Sequence, residues 1–197
     1  MLRILFSCLA AALFIGSAAN DSRATSVVRF PFNTLCLNAP RILRVRCLST
    51  AAEIDSDRNR VFTRTQFEVL ETIKGPAPGD GRIDLVLPGG RVDGLTQVVP
   101  GMPVFREQEE IVLFLTALSD TGSPWPMGLY QGCYGVRTDS DGQRQVELHP
   151  GVTPLPGGAA FKPVSDQPFR VDLHRFRQAV LNVLAGSPGA ASETPGK

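Results

Sequence analysis

Two consecutive stretches of alternating apolar and polar residues constrain the fold of this chain most strongly. In residues 42–52, Leu43 and Val45 alternate with Arg44, and the same spacing returns over residues 61–73. Successive side chains of a strand point to opposite faces of a sheet, so each stretch predicts a half-buried strand. A short polar turn separates them, which predicts one long β-hairpin.

Further strands are predicted downstream. Alternation over residues 83–87 indicates a short strand that ends at a Pro-Gly-Gly stop. Residues 111–115 are continuously apolar, which is typical of a strand buried on both faces. Residues 130–136 and 145–148 flank an Asp-Gly turn and predict a second hairpin.

A C-terminal amphipathic helix is also predicted. Asp172 stands at the N-cap position, and apolar residues repeat at helical spacing as far as Gly186. The tail, residues 187–197, is small and polar and is expected to be disordered. Five or more strands with one helix favour a small closed or partly open barrel over a two-sheet sandwich, although periodicity alone does not separate the two.

The N-terminus has the form of a secretion signal. Arg3 precedes an apolar run, and the small residues at positions 17–19 follow it. We expect cleavage after Ala19, with Ala24 as the alternative. The run is shorter than the about 20 apolar residues that span a membrane, so no span is expected after cleavage. The sequence thus predicts a secreted or periplasmic protein. The signal pattern, together with basic residues that are mostly Arg, indicates a bacterial origin.

This leader defines the expected organisation and charge. Residues 20–35 are expected to be an N-terminal lead segment, and residues 36–186 a single domain. Removing residues 1–19 takes away one charge, that of Arg3, and leaves equal numbers of basic and acidic residues. Such a balance argues against a nucleic-acid partner held by bulk charge.

No recognisable catalytic or metal motif is present. The sequence lacks a nucleophile elbow, a zinc-binding HExxH helix and a phosphate-cradling glycine loop. His149 and His174 are expected to be loop or surface residues. Residues 55–59 and 139–142 are interpreted as polar turns, because at the first site Arg60 stands where a calcium loop needs glycine. No catalytic residue, metal or cofactor is therefore expected.

A Gly/Pro-rich connection, residues 88–106, is the best candidate for binding, because long loops on a rigid scaffold often carry function. Trp125, between two prolines, is a second candidate. Their apolar residues either contact a partner or tuck beneath the barrel. The candidate partner-binding residues are Val98, Val99, Met102, Phe105 and Trp125.

Part of the chain resembles a known family. Residues 36–40, the following strand, and residues 65–75 with their Lys-Gly end are similar to netrin-like domains, typified by the tissue inhibitors of metalloproteinases. Residues 110–115 resemble the apolar strand of that family. The resemblance covers residues 36–138. It implies an OB-fold barrel and a disulfide between Cys36 and Cys133.

The residues alone leave the disulfide open, since Cys36, Cys47 and Cys133 allow several pairings. The inhibitors chelate zinc through an N-terminal cysteine with a free amino group, whereas here residues 20–35 precede Cys36. That mechanism is not expected without a second cut.

The functional hypothesis is an exported, non-enzymatic protein-binding or inhibitor-like module that presents long loops. Its partner would be another secreted or envelope protein, and a protease is one candidate. The alternatives are a structural or assembly accessory protein of the cell envelope, and a hydrolase whose site is assembled only by folding.

Overall fold

The computed structural model describes residues 30–55, 60–119, 122–148 and 170–186, which form a mainly β fold with two α-helices. Helix α1 spans Phe32–Asn38, helix α2 spans Leu173–Ala185, and a 3-10 turn spans Leu129–Gly132. The strands are β1 (Arg41–Asp55), β2 (Arg60–Lys74), β3 (Arg82–Pro88), β4 (Gly90–Val92), β5 (Leu95–Gln97), β6 (Glu110–Leu118), β7 (Pro124–Pro126), β8 (Cys133–Thr138), β9 (Arg144–Leu148) and β10 (Arg170–Asp172).

The main sheet is antiparallel, with the strand order β10-β9-β8-β6-β1-β2-β3, and β7 pairs with β6. The predicted long hairpin is confirmed as β1 and β2, and the predicted C-terminal helix is confirmed as α2. Strands β4 and β5 form a separate two-stranded hairpin.

Of the closed or partly open barrel that was predicted, the closed form is not found, because the sheet is open between β3 and β7. The backbone N–H of Val86 in β3 donates to the hydroxyl of Ser123, next to β7, at 2.9 Å. Strand β7 has only three residues, and Pro124 and Pro126 have no N–H to donate. A single side-chain hydrogen bond therefore stands where a barrel would have a ladder.

The central strands are buried on both faces, as the apolar run predicted for β6. Leu43 in β1 and Leu113 in β6 lie on a first face, which is covered by residues 98–105 and by Trp125. Ile42 and Phe114 lie on the second face, which the two helices cover. The protein thus has two apolar cores, one on each side of the sheet.

Four aromatic rings hold the helices on the second face. Phe32 of α1 and Phe176 of α2 have ring centroids 5.6 Å apart, and both contact Phe114 and Tyr134 of the sheet. Because Phe32 and Leu35 are buried, the end of the predicted lead segment is part of the core. Helix α1 was not predicted, since only seven residues carry its pattern.

The predicted disulfide between Cys36 and Cys133 is not formed, and Cys36, Cys47 and Cys133 are free, buried thiols. Cys36 lies in α1 and packs in the core of the second face, whereas Cys133 and Cys47 pack in the core of the first. The sheet therefore stands between Cys36 and the other two, which keeps their sulfur atoms from bonding distance.

A charged network ties α2 to the sheet. Arg44 contacts Glu71 at 3.1 Å and Glu110 at 2.6 Å, and Arg177 of α2 contacts the other oxygen of Glu71 at 2.6 Å. Burial alone would raise the pKa of Glu71, but the hydrogen bonds from Arg177 and Arg44 outweigh it and lower the pKa below its usual range.

We expect Glu71→Gln to lower the free energy of unfolding by about 1–2 kcal/mol, since Arg44 and Arg177 both lose a charged partner. A carboxylate with a lowered pKa stabilises the fold above its unfolded pKa, near 4.3, and the contribution disappears as the pH falls through the folded value. Urea titrations at several pH values test this.

The matched control is Glu68→Gln, because Arg46 is the one ion-pair partner of Glu68 among the described residues and both side chains are about half exposed. We expect a change within about 0.5 kcal/mol there. Equal losses for the two variants, or a Glu71 effect that does not shrink in acid, would contradict the role of the network.

Candidate functional site

The outer half of β1 and β2, residues 50–55 and 60–65, is called the arm. The hairpin of β4 and β5 lies across this arm. At the start of the hairpin, Gly89 donates its N–H to the carbonyl of Val61, and the hydroxyl of Thr63 donates to the carbonyl of Gly89, each at 2.7 Å. Gln97 accepts the N–H of Val61 at 2.8 Å. Part of the predicted long surface connection is therefore a hydrogen-bonded hairpin.

Beneath this hairpin lies a pocket of about 260 Å³. It is lined by the base of the arm, the end of β3, the hairpin itself and residues 98–105, which we call the pocket loop. Most of the lining is apolar. Thr63, Thr65, Leu87, Val99, Met102 and Phe105 are among the residues that form it.

The four loop residues predicted to bind a partner all line this pocket, but in different ways. Met102 and Phe105 are buried, and the ring of Phe105 stands edge-on to Phe67 at 5.1 Å. Val99 is half-buried, whereas Val98 is 58% exposed at the rim. Met102 and Phe105 thus belong to the core and shape the pocket, while Val98 is available to a partner.

Trp125 does not line the pocket. Its half-buried ring packs against the core of the first face, and its backbone N–H donates to the hydroxyl of Thr116 at 3.0 Å. The indole Nε1 is buried and has no hydrogen-bond partner within the described part of the chain. The structure therefore places this predicted binding residue outside the pocket lining, although it packs against the same core as Met102 and Phe105.

Several polar groups of the pocket are hydrogen-bonded within the protein, whereas the side chains of Arg91 and Thr96, which also line it, are exposed. The hydroxyl of Thr63 is bonded to Gly89, the hydroxyls of Thr65 and Thr50 share a bond of 3.2 Å, and Gln97 accepts from Val61. These hydroxyl and amide groups already use hydrogen-bonding capacity that a polar ligand would need. The pocket is therefore suited to an uncharged apolar group.

Several pocket residues were missed in the sequence. Thr63, Thr65 and Leu87 were interpreted only as strand residues, and Val104 was not among the final candidates, although it is 57% exposed at the rim. A Thr that occupies an inward position of a strand was the available signal, because inward positions are otherwise apolar here.

The three thiols ionise less readily than an exposed cysteine. Burial raises the pKa of Cys36 to about 12 and that of Cys47 to about 11, and it also raises the pKa of Cys133. The thiolate is the reactive form of cysteine, and a raised pKa keeps it scarce at neutral pH. The burial of all three side chains is typical of structural cysteines.

We expect Cys36, Cys47 and Cys133 to resist a thiol reagent in the folded protein at pH 8 and to react completely after denaturation without a reductant. Quantification of thiols by absorbance checks both values. Rapid labelling of the folded protein would contradict the burial, and a deficit of two thiols after denaturation would indicate a disulfide.

The described residues bring together no group of three or more His, Cys, Asp or Glu side chains that could hold a metal ion. Asp139 instead accepts the backbone N–H groups of Asp141 and Gln143, as in an ordinary turn. His174 is exposed in the first turn of α2, and His149 lies outside the described residues.

No helix in the described ranges is long and apolar enough to cross a membrane.

Comparison with known proteins gave no relative: no protein family, curated protein or solved structure matches this chain.

Proposed function

We propose that this chain is an exported, non-enzymatic binding module that takes an apolar side chain of a partner protein into the pocket beneath residues 98–105. The observation that carries this proposal is an apolar pocket whose rim also exposes apolar side chains. Val98 and Val104 are each more than half exposed beside it, and Leu95 of β5 is 51% exposed.

The dimensions support a side chain as the occupant. A volume of about 260 Å³ is smaller than the about 300–1,000 Å³ that is usual for sites of drug-sized ligands. It exceeds the about 150 Å³ of an engineered cavity that binds benzene. The pocket is therefore large enough for one aromatic or large aliphatic side chain, and the exposed rim would be covered by the surrounding surface of the partner.

Exposed apolar residues elsewhere are more scattered. Of the six large apolar side chains that are exposed in the described part of the chain, Leu95, Val98 and Val104 belong to the hairpin and the pocket loop. Leu37, Ile54 and Leu118 lie on other elements. Val98 and Val104 both line the pocket, and exposed apolar residues grouped in this way are typical of a protein interface, whereas single exposed apolar residues need no explanation.

The export of the chain, its lack of enzymatic activity and its relation to netrin-like inhibitors are parts of the same proposal and come from the sequence. The N-terminal signal pattern supports export. The hydrogen-bonded polar groups and the raised pKa values of the thiols support a binding role over catalysis. Protease inhibition is one form that such binding would take.

The experiment is site-specific photo-crosslinking in the exported fraction of the native organism. A photoreactive amino acid replaces Val98 or Val104 in turn, and adducts are identified by mass spectrometry. We expect both positions to capture the same protein, because they flank one pocket. We also expect Val104→Asp, made in the Val98 probe protein, to reduce that adduct at least about tenfold, since a charge would be buried at the interface.

Leu118 supplies the matched control, since it is 69% exposed and lies on β6. Its photoreactive variant should not capture that protein, and Leu118→Asp should leave the Val98 adduct unchanged. Capture of the same proteins from position 118, or an adduct that survives Val104→Asp, would contradict the proposal.

A further inference from the structure

We propose that a second copy of this chain pairs with the free edge of the arm, so that two sheets join across a two-fold axis. Strand β1 is fifteen residues long, but β6 pairs only with its first part, from Arg41 to Arg46. A last pair of backbone bonds joins Cys47 to Gln108 and Glu109. Beyond that point, β1 has β2 on one side and no described strand on the other.

The pairing register identifies which backbone groups are free. In β2, the carbonyl of Val61 accepts from Gly89, and the N–H of Val69 donates to Gly81, both on the side away from β1. The backbone groups of the odd-numbered residues of β2 therefore point away from β1, and those of its even-numbered residues point toward β1. The even-numbered residues of β2 pair with the odd-numbered residues of β1 from Ser49 to Asp55, whose backbone groups therefore point toward β2. Backbone direction alternates along a strand, so the N–H and C=O groups of Thr50, Ala52 and Ile54 point to the open side.

This edge lacks two of the usual protections against pairing, although a β-bulge lies at its start and Glu53 and Asp55 carry charge. Edge strands are commonly guarded by lysine, proline or a covering segment, and residues 48–55 contain neither lysine nor proline. Ala51, Glu53 and Ile54 are exposed. The described residues give these outward groups no hydrogen-bond partner.

The edge is complementary to itself when Ala52 lies on the two-fold axis. Ala52 then faces Ala52 of the other copy, and Thr50 faces Ile54, so all three outward residues exchange backbone bonds. Glu53 faces the small Ala51, and Arg64 of its own chain already contacts Glu53 at 3.6 Å. An axis at Glu53 would oppose two carboxylates, and an axis at Ala51 would pair fewer outward residues.

The test is hydrogen exchange of the purified full chain, followed by NMR at low and high protein concentration. The inward amides of Ala51 and Glu53 are an internal control, because they bond to β2 at any concentration. We expect the amides of Thr50, Ala52 and Ile54 to exchange rapidly in dilute protein and to gain about tenfold or more protection over a hundredfold rise in concentration. Sedimentation should show the mass doubling over the same range.

Ile54→Lys places a charge at the pairing edge without removing a bond of the arm, and it should abolish both the added protection and the doubled mass. Leu118→Lys is the control, with the same chemical change on another exposed position, and should leave both unchanged. Rapid exchange of the three outward amides at every concentration would overturn the proposal. Protection that is independent of concentration would overturn it as well, because the edge would then be covered within one chain.

Discussion

Phe114→Ala is expected to lower the free energy of unfolding by about 3–5 kcal/mol, the largest effect of any substitution considered for this protein. Phe114 is fully buried at the centre of the second face. Its ring contacts those of Phe32, Tyr134 and Phe176, with centroid distances of 6.2, 5.6 and 6.4 Å. Removal leaves a cavity between both helices and the sheet, which neither helix alone is able to close.

Urea denaturation measures this loss, with circular dichroism as the signal. Leu118→Ala, on the exposed end of the same strand, should change the free energy of unfolding by less than about 0.5 kcal/mol. A loss of less than about 1 kcal/mol for Phe114→Ala would show that the helices do not pack on this face as described.

Gly90→Ala is expected to have the second largest effect, about 2–4 kcal/mol, and to disrupt the pocket. Gly90 has a φ of 141°, a conformation that side-chain-bearing residues rarely adopt. A Cβ at this position would lie 2.5 Å from the hydroxyl oxygen of Thr63 and 3.0 Å from the Cβ of Ala52. The substitution thus adds backbone strain to a collision between the hairpin and the arm.

Gly94→Ala separates these two contributions. Gly94 has a φ of 78°, but a Cβ there would meet no atom within 4 Å. We expect a cost of about 1–2 kcal/mol from backbone strain alone. Thermal and urea unfolding of both variants provide the comparison. An equal effect for the two would mean that the hairpin does not press against the arm, and the pocket would then lack its wall.

Local patterns in the sequence predicted most of the strands correctly. Strands β1, β2, β3 and β6 and helix α2 follow from alternation, a continuous apolar run and an N-cap, each of which depends on nearby residues. The aspartate at the N-cap accepts the N–H groups of His174 and Arg175. Short elements such as α1 and β7 were missed, because seven and three residues carry too little periodicity.

Closure and covalent pairing could not be predicted in the same way, since both depend on contacts between distant parts of the chain. Whether β3 meets β7 depends on two prolines that remove backbone donors, and the strand pattern does not include that effect. The disulfide followed from a resemblance. The burial of Cys36 and Cys133 on opposite sides of the sheet became visible only with the helix α1 in place.

The sequence predicted which segment carries the candidate site, but not which other elements form the pocket with it. Residues 98–105 were singled out because apolar side chains in a Gly/Pro-rich loop would be costly to expose. The predicted burial holds for Met102 and Phe105, whereas Val98 is exposed and its contact with a partner stays a prediction. The opposite wall, formed by Thr63 and Leu87, needed the register of β2 and β3.

The central claim, an apolar pocket that accepts a side chain, is tested most directly by methyl NMR of the protein titrated with toluene, which has the shape of a phenylalanine side chain. We predict saturable shifts at the methyl groups of Val98, Val99, Met102 and Val104, and no change at Leu37 or Leu118. Absent shifts, or shifts of similar size at all these positions, would contradict the claim.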